Sequence, residues 1–434
     1  MTTRASALPY GVGRIGRGAV ALMVLLLLVA AVGVIAYVHQ FRQGLIVTGL
    51  RDWGTLGGAP WGVYIAFDVY FVGVSFAGIT VAALIRLLNL QHLRPISRMA
   101  ELLTIVSLML AGVTILADLG QPLRGIVNLF RYARPQSPFF GTFSLVISGY
   151  LFASLVYFYL AGRRDAYLMA QQPSPLRGFY RLWAAGYRDT PAQRRRHERV
   201  SFWLALGIIP LLITAHSTLG LVFGLMSGRP GWFSALQAPG FVVMAGLSGI
   251  GHIAVLAAIY RRFLPGGERI DRLVFRWLGM FLLILGLTYV YFTLMELLTT
   301  GYAGTHKEQE LARLLLLGRY APYFWVAMGA LALAIALNAW QAFTGRWSIA
   351  LVVASGVLVN ITAIGKRLLI VTPSLTHGAL LPYEPGAYVP TWVEVAIILG
   401  LMAFGALAIL LFGKVFPIIE LAPETERERK EALA

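Results

Sequence analysis

Four ionisable residues, Asp68, His216, Lys366 and Arg367, lie inside long apolar runs of this chain, and three more, Asp118, Glu296 and Glu394, stand where such runs end. An ionisable group at membrane depth is costly to bury and is retained mainly for function. The set joins carboxylates, an imidazole and two adjacent cations. Carboxylates and imidazole can exchange protons near neutral pH when burial and neighbouring charge tune them, and the cations can hold a ligand that gains negative charge. Apart from His252, the ionisable side chains in the interior of the runs fall in one half of the membrane. This arrangement is that of a polar pocket opening away from the cytoplasm.

The pocket needs a scaffold, and composition supplies it. The chain is 58% hydrophobic and 13% charged, with apolar runs long enough for a bilayer of about 30 Å, which takes roughly 20 helical residues. Ten transmembrane helices are expected, at about 19–38, 60–85, 101–117, 139–161, 200–226, 238–260, 273–298, 321–343, 348–372 and 391–414. The runs are continuously apolar, where barrel strands would alternate. The fold class is therefore an all-α polytopic membrane protein, packed as helical bundles. It divides into an N-terminal segment 1–18, a membrane domain 19–414 and a tail 415–434.

Orientation follows from the basic residues. Of 36 lysines and arginines, nine fall in the segments on one side (Arg42, Arg51, Arg124, Arg131, Arg134, Arg229, Lys307, Arg313 and Arg319). Lys366 and Arg367 lie within a span, which leaves 25 for the other side and both termini. The positive-inside rule makes that richer side cytoplasmic. The net charge of +17 thus lines helix ends that meet anionic lipid, and it is no sign of nucleic-acid binding. Arg14 and Arg17 precede the first apolar run as in a signal peptide, but the run is too long and lacks a small-residue cleavage site; it reads as an uncleaved anchor.

Cysteine is absent, so thiolate-ligated iron–sulfur clusters, covalent haem and a cysteine nucleophile are all excluded from this chain. A b-type haem needs facing histidines, and only His216 and His252 lie well inside spans; no haem is expected. The longest loop, 162–199, is rich in arginine and proline and has room for short surface helices around Phe179–Tyr187. There is no phosphate-binding glycine motif and no space for a nucleotide-binding domain.

Several stretches resemble the NrfD/PsrC family of quinone-interacting membrane subunits. They are Trp61-Gly-Val-Tyr-Ile-Ala-Phe-Asp68 and Ala117-Asp-Leu-Gly-Gln-Pro122; then His216-Ser-Thr-Leu-Gly220, Arg229-Pro-Gly-Trp232 and Ala238-Pro239; and finally the run from Asn360 to Leu369 and Tyr388-Val-Pro-Thr-Trp-Val-Glu394. The middle group is similar to the membrane subunit of periplasmic nickel–iron hydrogenases and to sulfur-metabolism relatives, and the last group to alternative complex III subunits. The resemblance covers about residues 50–420.

It implies a multi-pass subunit of the bacterial inner membrane that binds ubiquinone or menaquinone near the periplasmic face, without haem or cluster of its own. The implied partners are a periplasmic, ferredoxin-like iron–sulfur subunit and a catalytic or multihaem cytochrome subunit. Asp118 falls where relatives carry an acidic group or histidine, and His216 matches the hydrogenase-type histidine. The chain departs from alternative complex III proteins at Gly141-Thr142, where they carry an acid, and at Lys366, where they favour glutamate.

On this reading His216, Asp118 and Arg367 meet the quinone headgroup, and Tyr291, Tyr302 and Trp392 line its pocket. Asp68, Glu296, Lys366 and Glu394 carry protons. A proton- or ion-coupled transporter and a purely structural anchor are the competing functions, the first calling for charges near the midplane and the second for no pocket. The charge count gives a test. A reporter fused within 173–195 should read as cytoplasmic and one fused after Pro382 as periplasmic; the opposite result for both would invert the pocket.

Overall fold

A chain that crosses lipid must satisfy its own backbone, which long apolar runs do by closing helical hydrogen bonds within the segment. The computed structural model describes residues 8–50, 59–87, 90–132, 134, 136, 141–377 and 388–421, and among these there is no strand. Pro382 and the basic tail residues Arg427, Arg429 and Lys430 lie outside the described residues.

The α-helices are α1 (Arg17–Gln43), α2 (Val63–Val74), α3 (Phe76–Leu87), α4 (Arg94–Asp118), α5 (Pro122–Tyr132), α6 (Gly141–Ala170) and α7 (Arg177–Ala184). They continue with α8 (Pro191–Gly224), α9 (Gln237–Phe263), α10 (Arg272–Ala303), α11 (His306–Leu316), α12 (Ala321–Thr344), α13 (Ile349–Thr376) and α14 (Trp392–Val415). Among the described residues nine are long and apolar enough to cross a membrane, and α2 with α3 forms a tenth crossing in two halves. Nine of the ten expected spans are single long helices, and the expected span at 60–85 corresponds to the two short helices α2 and α3. The short helices α5, α7 and α11 lie between them.

The second crossing, expected as one helix, is broken at Ser75. A break at membrane depth frees backbone groups that only protein can satisfy. Neighbouring helices provide for them. The Ser75 carbonyl accepts from the Thr104 hydroxyl of α4 at 2.6 Å and from the Tyr150 hydroxyl of α6 at 2.8 Å. Thr104 Oγ1 also accepts from Gly78 N at 3.0 Å. The Val72 carbonyl receives Ser75 Oγ at 2.6 Å and faces His216 Nε2 of α8 at 2.8 Å. Glycine admits the close approach: a Cβ on Gly249 of α9 would lie 2.8 Å from Ala77 N, and one on Gly78 would lie 2.4 Å from the Ala100 carbonyl oxygen.

At the other end of the bundle α4 starts at Arg94 and α6 runs on to Ala170, each beyond its expected apolar run. Arg98, Glu101 and Asp165 are buried there. Arg98 pairs with Asp165 at 2.7 Å, donates to the Pro417 carbonyl at 2.8 Å and stacks 5.1 Å from the Phe416 ring. Helix α7, within the arginine-rich loop, adds Trp183 stacked 4.3 Å from Phe416 and a Tyr180 hydroxyl bonded to the Val415 carbonyl at 2.7 Å. The segment after α14 is clasped by three helices.

The break yields a prediction. Thr104→Val keeps shape but leaves Gly78 N without its acceptor and the Ser75 carbonyl with one donor fewer. Thermal unfolding in detergent should show a loss of about 0.6–2 kcal/mol, the range for polar contacts between membrane helices. Unchanged stability would mean that the break does not depend on Thr104.

Candidate functional site

A cavity of about 100 Å³ opens among α9, α10, α11, α12 and α13. Each helix contributes its own chemistry. The first turn of α9 brings Gln237 and Phe241, α10 brings Tyr289, Thr293 and Glu296, and α12 brings Phe324. Lys366 and Arg367 come from α13, while Glu308 and Leu311 of α11 form a wall at the end where α10 finishes. By helical rise, Glu296 lies about 10 Å and Lys366 about 15 Å from the ends of their helices, so the cavity reaches a few turns into the membrane domain.

The two cations lie against aromatic faces. Arg367, 5% exposed, places its guanidinium carbon 3.9 Å from the centroid of Phe241. The Lys366 ammonium lies 5.9 Å from the Tyr289 ring and 5.8 Å from the Phe324 ring, near enough for cation–π attraction. Glu296 of α10 is the acid whose charge acts on Lys366. Gln237 Nε2 donates to Glu296 Oε1 at 3.1 Å, which fixes that carboxylate against the start of α9. Two acids, Glu296 and Glu308, thus face two bases, Lys366 and Arg367, across one cavity.

The walls are held from behind. Pro373 interrupts α13, and close to this interruption Trp232 Nε1 donates to the Ile370 carbonyl at 2.5 Å. Trp232 stacks on Trp61 at 5.9 Å and Ser374 Oγ bonds to the Pro230 carbonyl at 2.6 Å, so the loop between α8 and α9 is tied to α13. Gly231, at φ +77°, sits under Leu311, and a Cβ there would lie 2.8 Å from Leu311 Cδ2. A side chain at 231 would be strained by that φ and would require the end of the Leu311 side chain to shift.

The structure gathers Glu296, Lys366 and Arg367 and places the other sequence-derived residues elsewhere. His216, 1% exposed, has Nδ1 2.8 Å from its own helix's Leu212 carbonyl and Nε2 2.8 Å from the Val72 carbonyl. It fastens α8 to the broken crossing. Glu394 is fully buried as the capping acid of α14, where it accepts from Thr391 N at 2.9 Å, Gly49 N at 2.8 Å and the Tyr388 hydroxyl at 2.6 Å. Burial, followed by the Glu394 carboxylate, pushes the Tyr388 phenol up, which keeps it a donor. Tyr291, Tyr302 and Trp392 point outward, with exposures of 57%, 92% and 64%.

Asp68 and Asp118 form a second polar region between α2 and α4. Asp118 ends α4, and its charge acts on both Asp68 and Tyr64. Tyr64 donates to Gln40 Oε1 at 2.5 Å, and Gln40 in turn donates to the Ala117 carbonyl at 2.6 Å, which joins α1, α2 and α4. Asp68 is 4% exposed, and among the described residues its Oδ1 has no hydrogen-bond partner.

Sequence reasoning missed Gln237, Tyr289, Phe241 and Glu308. Helix phase was the available signal for Tyr289: it shares a face of α10 with Glu296 at i and i+7, whereas Tyr291 is turned about 200° away. Glu308 carried a signal too, as the third helical residue after Thr305 in a capping box.

A ten-span helical membrane protein with a charged cavity toward one end of its spans is the class these features define. The chain belongs to the NrfD polysulphide reductase family, whose model matches residues 53–378. It is 29% identical over 431 residues, 95% of this chain and 94% of the relative, to a Halobacterium salinarum protein named as a membrane subunit of dimethyl sulfoxide reductase. It is 26% identical over 423 residues, 92% and 93% of the two chains, to the Hdr-like menaquinol oxidoreductase integral membrane subunit of Archaeoglobus fulgidus. A selenate reductase subunit of Mesobacillus selenatarsenatis is 26% identical over 313 residues, 69% of each chain. The family is thus one of membrane subunits of redox complexes.

His216 supplies the prediction for this region. If it serves as a fastener, His216→Ala should lower thermal stability while the cavity keeps its ligand affinity; measured affinity for a quinone analogue lost with stability intact would instead put the imidazole in the site.

Proposed function

We propose that this protein binds the headgroup of ubiquinone or menaquinone in the cavity among α9–α13, as the membrane subunit of a quinone-linked redox complex. The carrying observation is the convergence of Lys366, Arg367 and Glu296 in one cavity whose walls include four aromatic rings. A quinone supplies the chemistry of taking up or releasing two electrons and two protons. Its ring needs flat apolar walls, which Phe241, Tyr289, Phe292 and Phe324 provide. A cavity of roughly 150 Å³ accepts a six-membered ring in other proteins, so modest movement of these side chains completes the fit.

The residues of the cavity match what the ring oxygens demand. Arg367 and Lys366 donate hydrogen bonds to oxygen and stabilise negative charge that develops there. Glu296 sits beside Lys366 and takes or gives a proton. Asp68 and Asp118 form the second set of titratable groups on the proton path. Electrons pass between the quinone and an iron–sulfur subunit docked on the periplasmic side, which serves a catalytic or multihaem cytochrome subunit; the absence of cysteine in this chain is consistent with that division of labour. The termini are cytoplasmic, by the charge count.

One observation favours a second reading, a proton- or ion-coupled transporter: the buried, unpartnered Asp68 Oδ1 on a discontinuous helix. Transporter half-helices, however, point free backbone groups at their ligand. Here the Ser75 and Val72 carbonyls are already engaged by Thr104, Tyr150 and His216.

In the assembled complex, Arg367→Met and Glu296→Gln should each lower turnover of a soluble quinol analogue by at least about tenfold, a floor below the roughly 10²–10⁴ that one positioned donor or acid contributes. Asp118→Asn should do the same if the second acidic region lies on the path. Wild-type turnover in both cavity variants would remove the cavity from the mechanism, and ion uptake by the lone subunit in vesicles would favour the transporter.

A further inference from the structure

The cavity contains one acid that the quinone chemistry above does not use. Glu308 lies on α11, outside the membrane spans, in the wall that closes the cavity. Its Oε2 accepts from Thr305 N at 2.7 Å, and Glu308 N donates to Thr305 Oγ1 at 3.4 Å, so the side chain is fixed by the helix that carries it. It is half-buried, whereas Thr305, His306 and Lys307 before it are exposed. Glu308 therefore touches the cavity on one side and stands one residue from water on the other.

We propose that Glu308 is the proton-exchange group at the mouth of this cavity, relaying protons between Glu296 inside and the aqueous phase outside. This rests on the reading of the cavity as a quinone site. When quinol is oxidised, the Glu296 carboxylate takes up a proton released by the quinol and hands it to the Glu308 carboxylate, which gives it to water; when quinone is reduced the same proton transfers run the other way. No electrons move in this step. Each carboxyl ends as it began, and the proton is the only species transferred.

The surrounding charges permit such a relay. From α10 Glu308 is faced by Glu296, and from α13 by Lys366 and Arg367. Helix α12 carries no charged residue. On α11 itself Lys307 is taken up by Glu310 at 3.2 Å, and His306 and Arg313 are the remaining charged or titratable groups. The loop between α8 and α9 contributes Arg229. The Glu308 carboxylate thus has cations on the cavity side and solvent behind it.

Glu308→Gln is the informative variant, because glutamine also serves as the third residue of a capping box and keeps α11 capped. In the intact complex, oxidising a soluble quinol analogue, Glu308→Gln should lower turnover about tenfold at neutral pH with KM unchanged. The wild type should lose turnover as pH falls and the carboxylate becomes protonated; the variant should lack that acid limb. Added acetate, a small mobile carboxylate, should restore turnover several-fold in the variant, as should Glu308→Asp in part. Wild-type turnover and pH profile in Glu308→Gln would overturn the relay. So would a loss that neither acetate nor aspartate relieves, since that marks a structural role. Bound quinone is measured in parallel: a wild-type complex that holds none in this cavity refutes the site itself, whereas quinone bound equally by both proteins with unaltered kinetics refutes only the relay.

Discussion

Two neighbouring cations on one turn of a membrane helix, Lys366 and Arg367, are the constraint to which the surrounding structure answers. Neither can be left bare at this depth, because an unpaired charge in low dielectric is strongly disfavoured. The response comes from every helix nearby: Phe241 under the guanidinium, Tyr289 and Phe324 around the ammonium, and Glu296 as the opposing charge. These contacts set how α9, α10, α12 and α13 lie against one another. A cavity remains because charges and rings do not fill space as aliphatic side chains would.

The broken crossing obeys the same rule with backbone groups in place of charges. Interrupting α2 and α3 at Ser75 exposes carbonyls that lipid cannot satisfy, and Thr104, Tyr150 and His216 are placed to meet them. His216 is thereby held by two carbonyls and serves the packing of α8 on α2. At the far end, the Arg98–Asp165 pair fixes the chain after α14. Buried polar groups thus join helices at several places in the bundle, and those among α9–α13 line a cavity.

Much of this architecture was legible in the sequence, and the exceptions have physical causes. The ten crossings follow from apolar runs, which lipid enforces residue by residue. Lys366, Arg367 and Glu296 were legible because charge inside an apolar run is conspicuous. The break at Ser75 was not: no proline or glycine occupies that position, and the groups that hold it come from residues 29 to 144 positions away. The aromatic lining of the cavity was not legible because type was read without helix phase, which turns Tyr291 to the outside and Tyr289 toward the cavity. Gln237 and Glu308 were passed over because polar residues at helix starts ordinarily serve as caps, and Glu308 does that as well.

The central claim is that the quinone headgroup occupies the cavity among α9–α13 and not the acidic region between α2 and α4. Photo-crosslinking with an azido-quinone in the assembled complex, followed by mass spectrometry of the labelled peptides, tests it most directly. The account predicts label on residues 289–300 of α10 and 366–370 of α13, displaced by excess unlabelled quinone. Displaceable label confined to α2 and α4 around Asp68 and Asp118, with α10 and α13 unmodified, would contradict it.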